Sequence, residues 1–239
     1  MGDTQRALRQ YSAARDVFAA LVRENAASAE HRVHLGLCYN NLGLVLAGSG
    51  RTEDARQAFQ QADSLAAGLC RDEPANPAHR WRRALVQTNT GLLHSQDGNI
   101  ADADACYGQA IALLEPLIAQ EPDRDEFRKD LAVAYNNRGA LHRAASPLRA
   151  AEDNGRALQL LAELAERRPE RLDYQSELAL CRSNQGVLLA ELDSASAAVP
   201  VLRQAIAAQE QLVRKAPARV DYRRDLAVSC NNLGRVLLE

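Results

Sequence analysis

Apolar residues recur along the chain with the spacing of amphipathic helices. Between residues 79 and 96 they fall at 81, 84, 85, 86, 92 and 93, and between 101 and 120 at 103, 106, 107, 110, 111, 113, 114, 117 and 118. Both series follow the 3.6-residue period of a helix with one apolar face. Gly98 interrupts the pattern once and Pro122 ends it, because glycine can leave a helix in the left-handed conformation and proline cannot continue one. The stretch 79–126 therefore predicts two antiparallel helices.

The same pattern returns along the whole chain. Five Asn-x-Gly sequences mark it, and their glycines are spaced by 48, 48, 47 and 48 residues: Gly43, Gly91, Gly139, Gly186 and Gly234. A ring precedes each glycine by twelve residues: His31, His79, Phe127, Tyr174 and Tyr222. A period of this length is typical of arrays in which each unit packs on its neighbours. The sequence therefore predicts an all-α solenoid of stacked helix hairpins, with the five glycines at equivalent close helix contacts.

The columns also predict where the repeats begin and end. The array 1–239 divides into a half repeat, four full repeats and a second half repeat: 1–30, 31–78, 79–126, 127–173, 174–221 and 222–239. Neither end has the polar outer face expected of a capping repeat. We therefore expect the sequence to be a fragment of a longer protein.

Three local features carry expectations about packing. A column of alanines predicts tight contacts between the two helices of a repeat, so Ala62, Ala110 and Ala205 should be buried. The third full repeat is one residue short and has Asn154 where other repeats carry a ring or leucine, so it should be the most loosely packed. Pro200 falls near the start of its helix and is expected to delay that start.

Composition and charge exclude several classes of protein. The chain is 46% hydrophobic with a net charge of −2, so it can bury a core and has no electrostatic footprint for nucleic acid or a membrane surface. No apolar run approaches the ~18 residues of a membrane-spanning helix, and the N-terminus lacks the apolar region of a signal peptide. The five cysteines are scattered and odd in number, which favours free thiols in a reducing compartment. We expect a cytoplasmic protein.

The columns resemble the tetratricopeptide repeat. Leu42-Gly43, Ala55, Phe59 and Ala62 match that family's motif at each spacing, although the closing proline follows Ala62 by twelve residues rather than about five. The family's usual period is 34 residues, so each helix here is about two turns longer. Leucine before glycine is replaced in three repeats by Thr90, Arg138 and Gln185. The long-helix form is similar to the kinesin-light-chain branch and to related bacterial arrays, and this resemblance implies a right-handed α-solenoid of ten helices.

The resemblance also implies a binding site. In that family the first helix of each repeat lines a concave groove, and asparagines two residues before the glycine hold the main chain of an extended peptide. The corresponding residues, with two asparagines directly before them, are Asn41, Asn89, Asn137, Asn184, Asn232, Asn40 and Asn136. A carboxamide both donates and accepts, so it can satisfy a peptide group whatever the side chains are. The alternative is a structural ladder, in which these asparagines bond to neighbouring helices, and one residue can do both.

Other polar columns have simpler interpretations. A charged column changes sign along the chain and either orients a charged peptide or is a solvated face: His34, Arg82, Asp130, Glu177 and Asp225. A second column is expected to face away from the groove and to form ion pairs with adjacent helices: Arg32, Arg80, Arg128 and Arg223. His94 and His142 share a column but offer too few ligands for a metal site.

No catalytic or phosphate-binding motif is present in the sequence, so we expect neither an enzyme nor a cofactor or metal. The predicted function is a scaffold that binds a protein or an extended peptide in the groove, without nucleic acid or membrane partners. The alternative is an intramolecular role, as the regulatory or sensor region of a larger bacterial kinase, protease or nucleotide hydrolase, with a domain of the same full-length chain as its partner.

Overall fold

The computed structural model describes residues 2–192 and 194–238. The regular secondary structure of these residues is helical: α1 (Gly2–Glu24), α2 (Ala29–Gly48), α3 (Thr52–Asp72), α4 (Pro77–Gln96), α5 (Ile100–Gln120), α6 (Asp125–His142), α7 (Pro147–Arg167), α8 (Leu172–Glu191), α9 (Ala195–Lys215) and α10 (Val220–Val236). The helices group into two compact units, Met1–Gln120 and Glu121–Glu239.

The first unit contains α1 to α5, and each helix packs against the next along the chain. The first helices of its repeats, α2 and α4, also contact each other. Between them the core includes Leu42, Leu46, Phe59 and Leu93, all nearly inaccessible to solvent. Since no hairpin can bury its apolar face alone, this sequential stacking is what makes the unit stable.

The second unit contains α6 to α10 and is built in the same way. Its first helices, α6, α8 and α10, contact one another in sequence, and α7 and α9 pack between them. Leu202 and Val236 belong to a buried cluster in this unit. Both units are thus stacks of helix hairpins, which confirms the predicted all-α solenoid fold class.

The glycine column lies at close helix contacts in four of the five positions. A Cβ atom built on three of these glycines would lie within 3 Å of a side chain from the following helix: Gly43 meets Phe59 at 2.5 Å, Gly91 meets Tyr107 at 2.8 Å, and Gly186 meets Leu202 at 2.5 Å. At Gly139 the nearest atom is a backbone oxygen at 3.2 Å. The prediction is wrong for Gly234, because none of the described residues lies within 4 Å of a Cβ built there.

The third full repeat retains its contact despite the missing ring. Asn154 is only 5% exposed, and its Nδ2 donates to the backbone oxygen of Cys181 at 3.1 Å and lies 3.2 Å from the sulfur of the same residue. The Cβ built on Gly139 approaches the carbonyl oxygen of Ala150 in α7. A hollow of about 10 Å³ lies beside Asn154, which is about the space that one water molecule needs.

The expected effect of Pro200 on its helix is wrong. α9 begins at Ala195, 48 residues after the start of α7, so Pro200 lies inside the helix. A proline in a helix removes the hydrogen bond to the carbonyl four residues earlier, here that of Ser196. Pro200 and Ser196 are both exposed, so that carbonyl can bind water instead. Pro116 inside α5 is exposed in the same way.

The alanine column is buried as predicted. Ala62, Ala110 and Ala205 are completely inaccessible to solvent. The turns between paired helices also follow the sequence, because Gly50 and Gly98 have φ angles of 76° and 77°, which favour glycine. Local turn chemistry and the small-residue column therefore determine the hairpin geometry.

The arginine column forms one of the expected ion pairs. Arg32 pairs with Asp72 at the end of α3, with 2.5 Å between nitrogen and oxygen. Arg80 instead donates to the amide oxygen of Gln120 at 2.7 Å, and Arg128 donates to a backbone carbonyl of the loop before its own helix. Gln120 stands 48 residues after Asp72 and so occupies the equivalent position in the next repeat. Both residues accept a hydrogen bond from the arginine, but Gln120 is uncharged. The prediction of ion pairs is wrong for Arg80 and Arg128.

Candidate functional site

In each unit the first helices of the repeats present a surface that we call the first-helix face. These helices are α2 and α4 in the first unit and α6, α8 and α10 in the second. On α2 it carries Leu37, Asn41 and Leu44, which are three or four residues apart and therefore project from one side of the helix. The equivalent positions on α4 include Asn89 and Leu92. Leu37, Leu44 and Leu92 are 38%, 43% and 40% exposed. A polar column thus runs between exposed aliphatic side chains.

In the first unit, two of the predicted site residues contact each other across neighbouring helices. The Nδ2 of Asn89 on α4 donates to the Oδ1 of Asn40 on α2, with 2.9 Å between the atoms. Both side chains are half-buried. An amide has two N–H donors and an oxygen with two lone pairs, so one bond leaves each asparagine with further donor and acceptor capacity.

The second unit repeats this geometry. The Nδ2 of Asn184 on α8 donates to the Oδ1 of Asn136 on α6, again at 2.9 Å. Asn184 is half-buried, whereas Asn136 is buried at 9% exposure. Between α8 and α10 the hydroxyl of Ser229 donates to that of Ser183 at 2.9 Å, and both serines are buried. Side-chain hydrogen bonds therefore link adjacent first helices within each unit.

The remaining predicted site residues, Asn41, Asn137 and Asn232, are half-buried at the equivalent positions of α2, α6 and α10. The ladder interpretation predicted bonds between neighbouring helices, and two such bonds are present at Asn89 and Asn184. These bonds do not use the full capacity of the amides, so they are compatible with a binding role for the same residues.

The side chains of the charged column, which runs from His34 to Asp225, have different surroundings in the two units. In the first unit His34 is exposed and stacks on Phe18, with 4.9 Å between the ring centres. In the second unit burial raises the pKa of Glu177, nearby carboxylates including Asp225 and Asp130 raise it further, and Lys129 lowers it. Asp225 and Asp130 have basic neighbours, at 3.1 Å from Arg224 and 3.9 Å from Lys129. This column is therefore partly neutralised by its own helices.

A hollow in the first-helix face of the first unit was not predicted. It lies between α2 and α4 over α3 and has a volume of about 30 Å³. Its lining is mainly apolar: Val33, Gly36, Leu37, Ala62, Ala66, Leu69, Leu85 and Val86, with Arg32, Asn40 and Arg82 around them. The signal in the sequence is Gly36, because the other repeats have alanine in that column: Ala84, Ala132, Ala179 and Ala227.

The described residues, 2–192 and 194–238, contain no group of three or more His, Cys, Asp or Glu side chains placed to hold a metal ion. Over the same ranges, no helix combines the length and the hydropathy that would let it cross a membrane.

The fold and the repeated face define a helical repeat protein of the hairpin-stacking class. A model of the tetratricopeptide repeat family matches residues 1–69 and 88–156, which is more than half of the chain. The chain therefore belongs to the tetratricopeptide repeat family, as its columns predicted.

A solved structure shows the same fold. The crystal structure of BtubC (BKLC) from P. vanneervenii has a TM-score of 0.71 and 17% sequence identity, covering 98% of this chain and 82% of that one. A weaker likeness is to YrrB, described as a tetratricopeptide repeat protein with an unusual peptide-binding site. Its TM-score is 0.38 and its identity 15%, covering 92% of this chain and 87% of that one. No curated protein matches the chain.

Proposed function

We propose that the protein is a scaffold that binds an extended peptide segment of a partner protein along its first-helix face. The observation that carries this proposal is the repeated asparagine pair, Asn89 with Asn40 and Asn184 with Asn136, each joined at 2.9 Å. Membership of the tetratricopeptide repeat family supports the general role of a protein-binding scaffold.

Each pair can hold a peptide group. The bond fixes the orientation of both amides, while the oxygen of Asn89 keeps the capacity to accept and the N–H groups of Asn40 keep the capacity to donate. A peptide bond offers one donor and one acceptor on every residue except proline. The pair therefore complements a main chain without reading its side chains, and its orientation before binding reduces the entropy lost on binding.

The spacing of the helices fits an extended ligand. Packed helices lie about 8–10 Å apart, and an extended chain advances about 3.3 Å per residue. A peptide that crosses the first helices of a unit would thus meet a new asparagine about every third residue. The exposed Leu37, Leu44 and Leu92 beside the polar column offer apolar contacts to the intervening side chains.

Asn89 is the best residue with which to separate binding from structure. Its partner Asn40 is half-buried, so water can replace the lost bond after an Asn89→Ala change and stability should hardly move. Asn184→Ala should cost more, ~1–3 kcal/mol, because it leaves the oxygen of the buried Asn136 without its partner. Asn25, which is exposed in the loop between α1 and α2, provides a matched Asn25→Ala control.

The test uses a surface-displayed library of random 12-residue peptides selected on the immobilised protein. Each bond to a ligand main chain contributes ~0.5–1.5 kcal/mol, so Asn89→Ala should weaken selected peptides a few-fold. The triple change at Asn89, Asn137 and Asn184 should weaken them about tenfold or more, with Asn25→Ala unchanged. If no peptide is enriched, or if the triple variant remains folded and binds as tightly as the parent, the asparagines are structural only.

A further inference from the structure

The hollow of the first unit lies beside Gly36, a glycine that the fold of α2 does not require. Gly36 lies inside α2, and a Cβ built there would meet only the Cβ of Leu65, at an ordinary contact distance of 3.8 Å. The backbone conformation is helical, so alanine would fit without strain. Glycine is among the poorest helix formers, and a glycine inside a helix usually has a packing or functional reason. Here its effect is to leave space open.

The alanine column shows what fills this space elsewhere. In the same position α4, α6 and α8 carry Ala84, Ala132 and Ala179, and each is completely buried. In α2 the corresponding methyl group is missing, and a hollow of about 30 Å³ lies beside it. One water molecule needs about 10–15 Å³ of such space. The hollow can therefore take the end of an aliphatic side chain and is too small for an aromatic ring.

The surroundings of the hollow indicate the neighbours of that side chain. Asn40, which accepts the bond from Asn89, stands at its edge, so a main chain held by this pair would pass the opening. Arg82 also lines it. An arginine presents five N–H donors, so Arg82 can bind a carboxylate of the ligand in addition to its contact within the fold. Its charge favours an acidic residue close to the apolar side chain.

We propose that this hollow is an anchor site of the first-helix face, and that it takes an aliphatic side chain of an extended peptide with an acidic residue next to it. The proposal rests on the proposed function and specifies its ligand. Apolar walls provide the affinity, because they remove the side chain from water. Arg82 provides the preference for the acidic neighbour.

The decisive variant is Gly36→Ala, which fills the hollow without touching the asparagine pair. Gly155 in α7 is a matched control, because it is exposed and a Cβ there has nothing within 4 Å. Both changes replace glycine by alanine inside a helix, so both should raise the melting temperature by a similar amount. Only Gly36→Ala should change the affinity for a peptide.

The experiment measures peptides selected from the displayed random 12-residue library against the parent and both variants. The enriched peptides should share a Val, Leu or Ile residue next to an Asp or Glu residue. Their affinity should fall about tenfold for Gly36→Ala and less than about twofold for Gly155→Ala, because the added methyl group occupies the space that the ligand side chain needs.

Each possible outcome decides between the two proposals. If Asn89→Ala weakens the selected peptides while Gly36→Ala does not, the peptide-binding function holds and the anchor site is refuted. If no peptide is enriched, both proposals fail. Selection of aliphatic residues without an acidic neighbour would overturn the part assigned to Arg82, and an Arg82→Gln variant that keeps the acidic preference would do the same.

Discussion

The glycine column allows one substitution to be compared at an occupied and an open position. Gly91→Ala places a Cβ 2.8 Å and 2.9 Å from two ring atoms of Tyr107 and 3.2 Å from the Cβ of Cys106. Gly234→Ala makes the same chemical change at the equivalent position of α10, where none of the described residues lies within 4 Å of the new Cβ. The two variants therefore differ in packing, although Gly234 lies in the last turn of α10 and gains less from the helix propensity of alanine.

The magnitude follows from these distances. Carbon atoms in favourable contact lie about 3.5–4.0 Å apart, so the ring of Tyr107 would have to move by roughly 1 Å. Tyr107 is only 1% exposed, and a buried ring can move only by disturbing its neighbours. Overpacking of this kind costs ~1–3 kcal/mol, while replacing glycine by alanine in a helix contributes up to ~1 kcal/mol. Gly91→Ala should destabilise by ~0–3 kcal/mol, and Gly234→Ala should be neutral or stabilise by up to ~1 kcal/mol.

Circular dichroism melts and urea unfolding of both variants measure the difference. For a chain of this size a change of about 1 kcal/mol shifts the melting temperature by about 2–4 °C, so Gly91→Ala should melt several degrees below Gly234→Ala. Gly108→Ala, in the same unit as Gly91 and with open space around its Cβ, controls for the position in the chain. If Gly91→Ala melts at or above Gly234→Ala and Gly108→Ala, the ring does not lie over the glycine and the helix phasing is wrong.

Three further substitutions test other parts of the packing. Ala110→Leu should overpack a completely buried contact and cost ~1–3 kcal/mol, and a melt like the parent's would show that the column is no interface. Burial raises the pKa of Glu177 in the folded state, so its ionisation destabilises the fold as the pH rises above the ordinary value of 4.5. Glu177→Gln should therefore melt at a higher temperature than the parent at about pH 7 and at the same temperature at about pH 4. Gln209 is 2% exposed and its amide has no partner among the described residues, whereas the same column in α7 carries Leu161. Gln209→Leu should therefore raise the free energy of unfolding by ~1–3 kcal/mol. An unchanged midpoint in urea unfolding would indicate that the amide is hydrogen-bonded in the parent.

The fold could be predicted from the sequence because its causes are local and repeated. The 3.6-residue period, the turn glycines Gly50 and Gly98 and the buried alanines recur with one phase. An error at one copy is corrected by the others, so the predicted helix pair in residues 79–126 agrees with α4 and α5. At Pro200 the repeat pattern would have been the better guide than the single residue. The repeat sets the start of α9, and the exposed proline is tolerated inside the helix.

Side-chain partners were harder to predict, because a column gives a position and not the residue that faces it. Arg32 and Arg80 share a column, yet one meets a carboxylate and the other an amide, since the end of the facing helix differs. Asn154 resembles a packing defect in the sequence, whereas in the structure it bonds to Cys181 in the next repeat. Such contacts depend on pairs of residues far apart in sequence, and the helical period does not encode the pairing.

The asparagine column lies between these two cases. Its period placed each member on the same face of its own helix, and the bond from Asn89 explains the polar residue at position 40. A larger residue at position 40 would separate α2 from α4, and an apolar one would leave the amide of Asn89 without its acceptor. The structural role therefore accounts for Asn40, but it needs only one of the polar atoms of Asn89. Whether the remaining oxygen binds a main chain depends on a ligand that is not encoded in the column, which is why the decisive evidence is the affinity of Asn89→Ala for a peptide at unchanged stability.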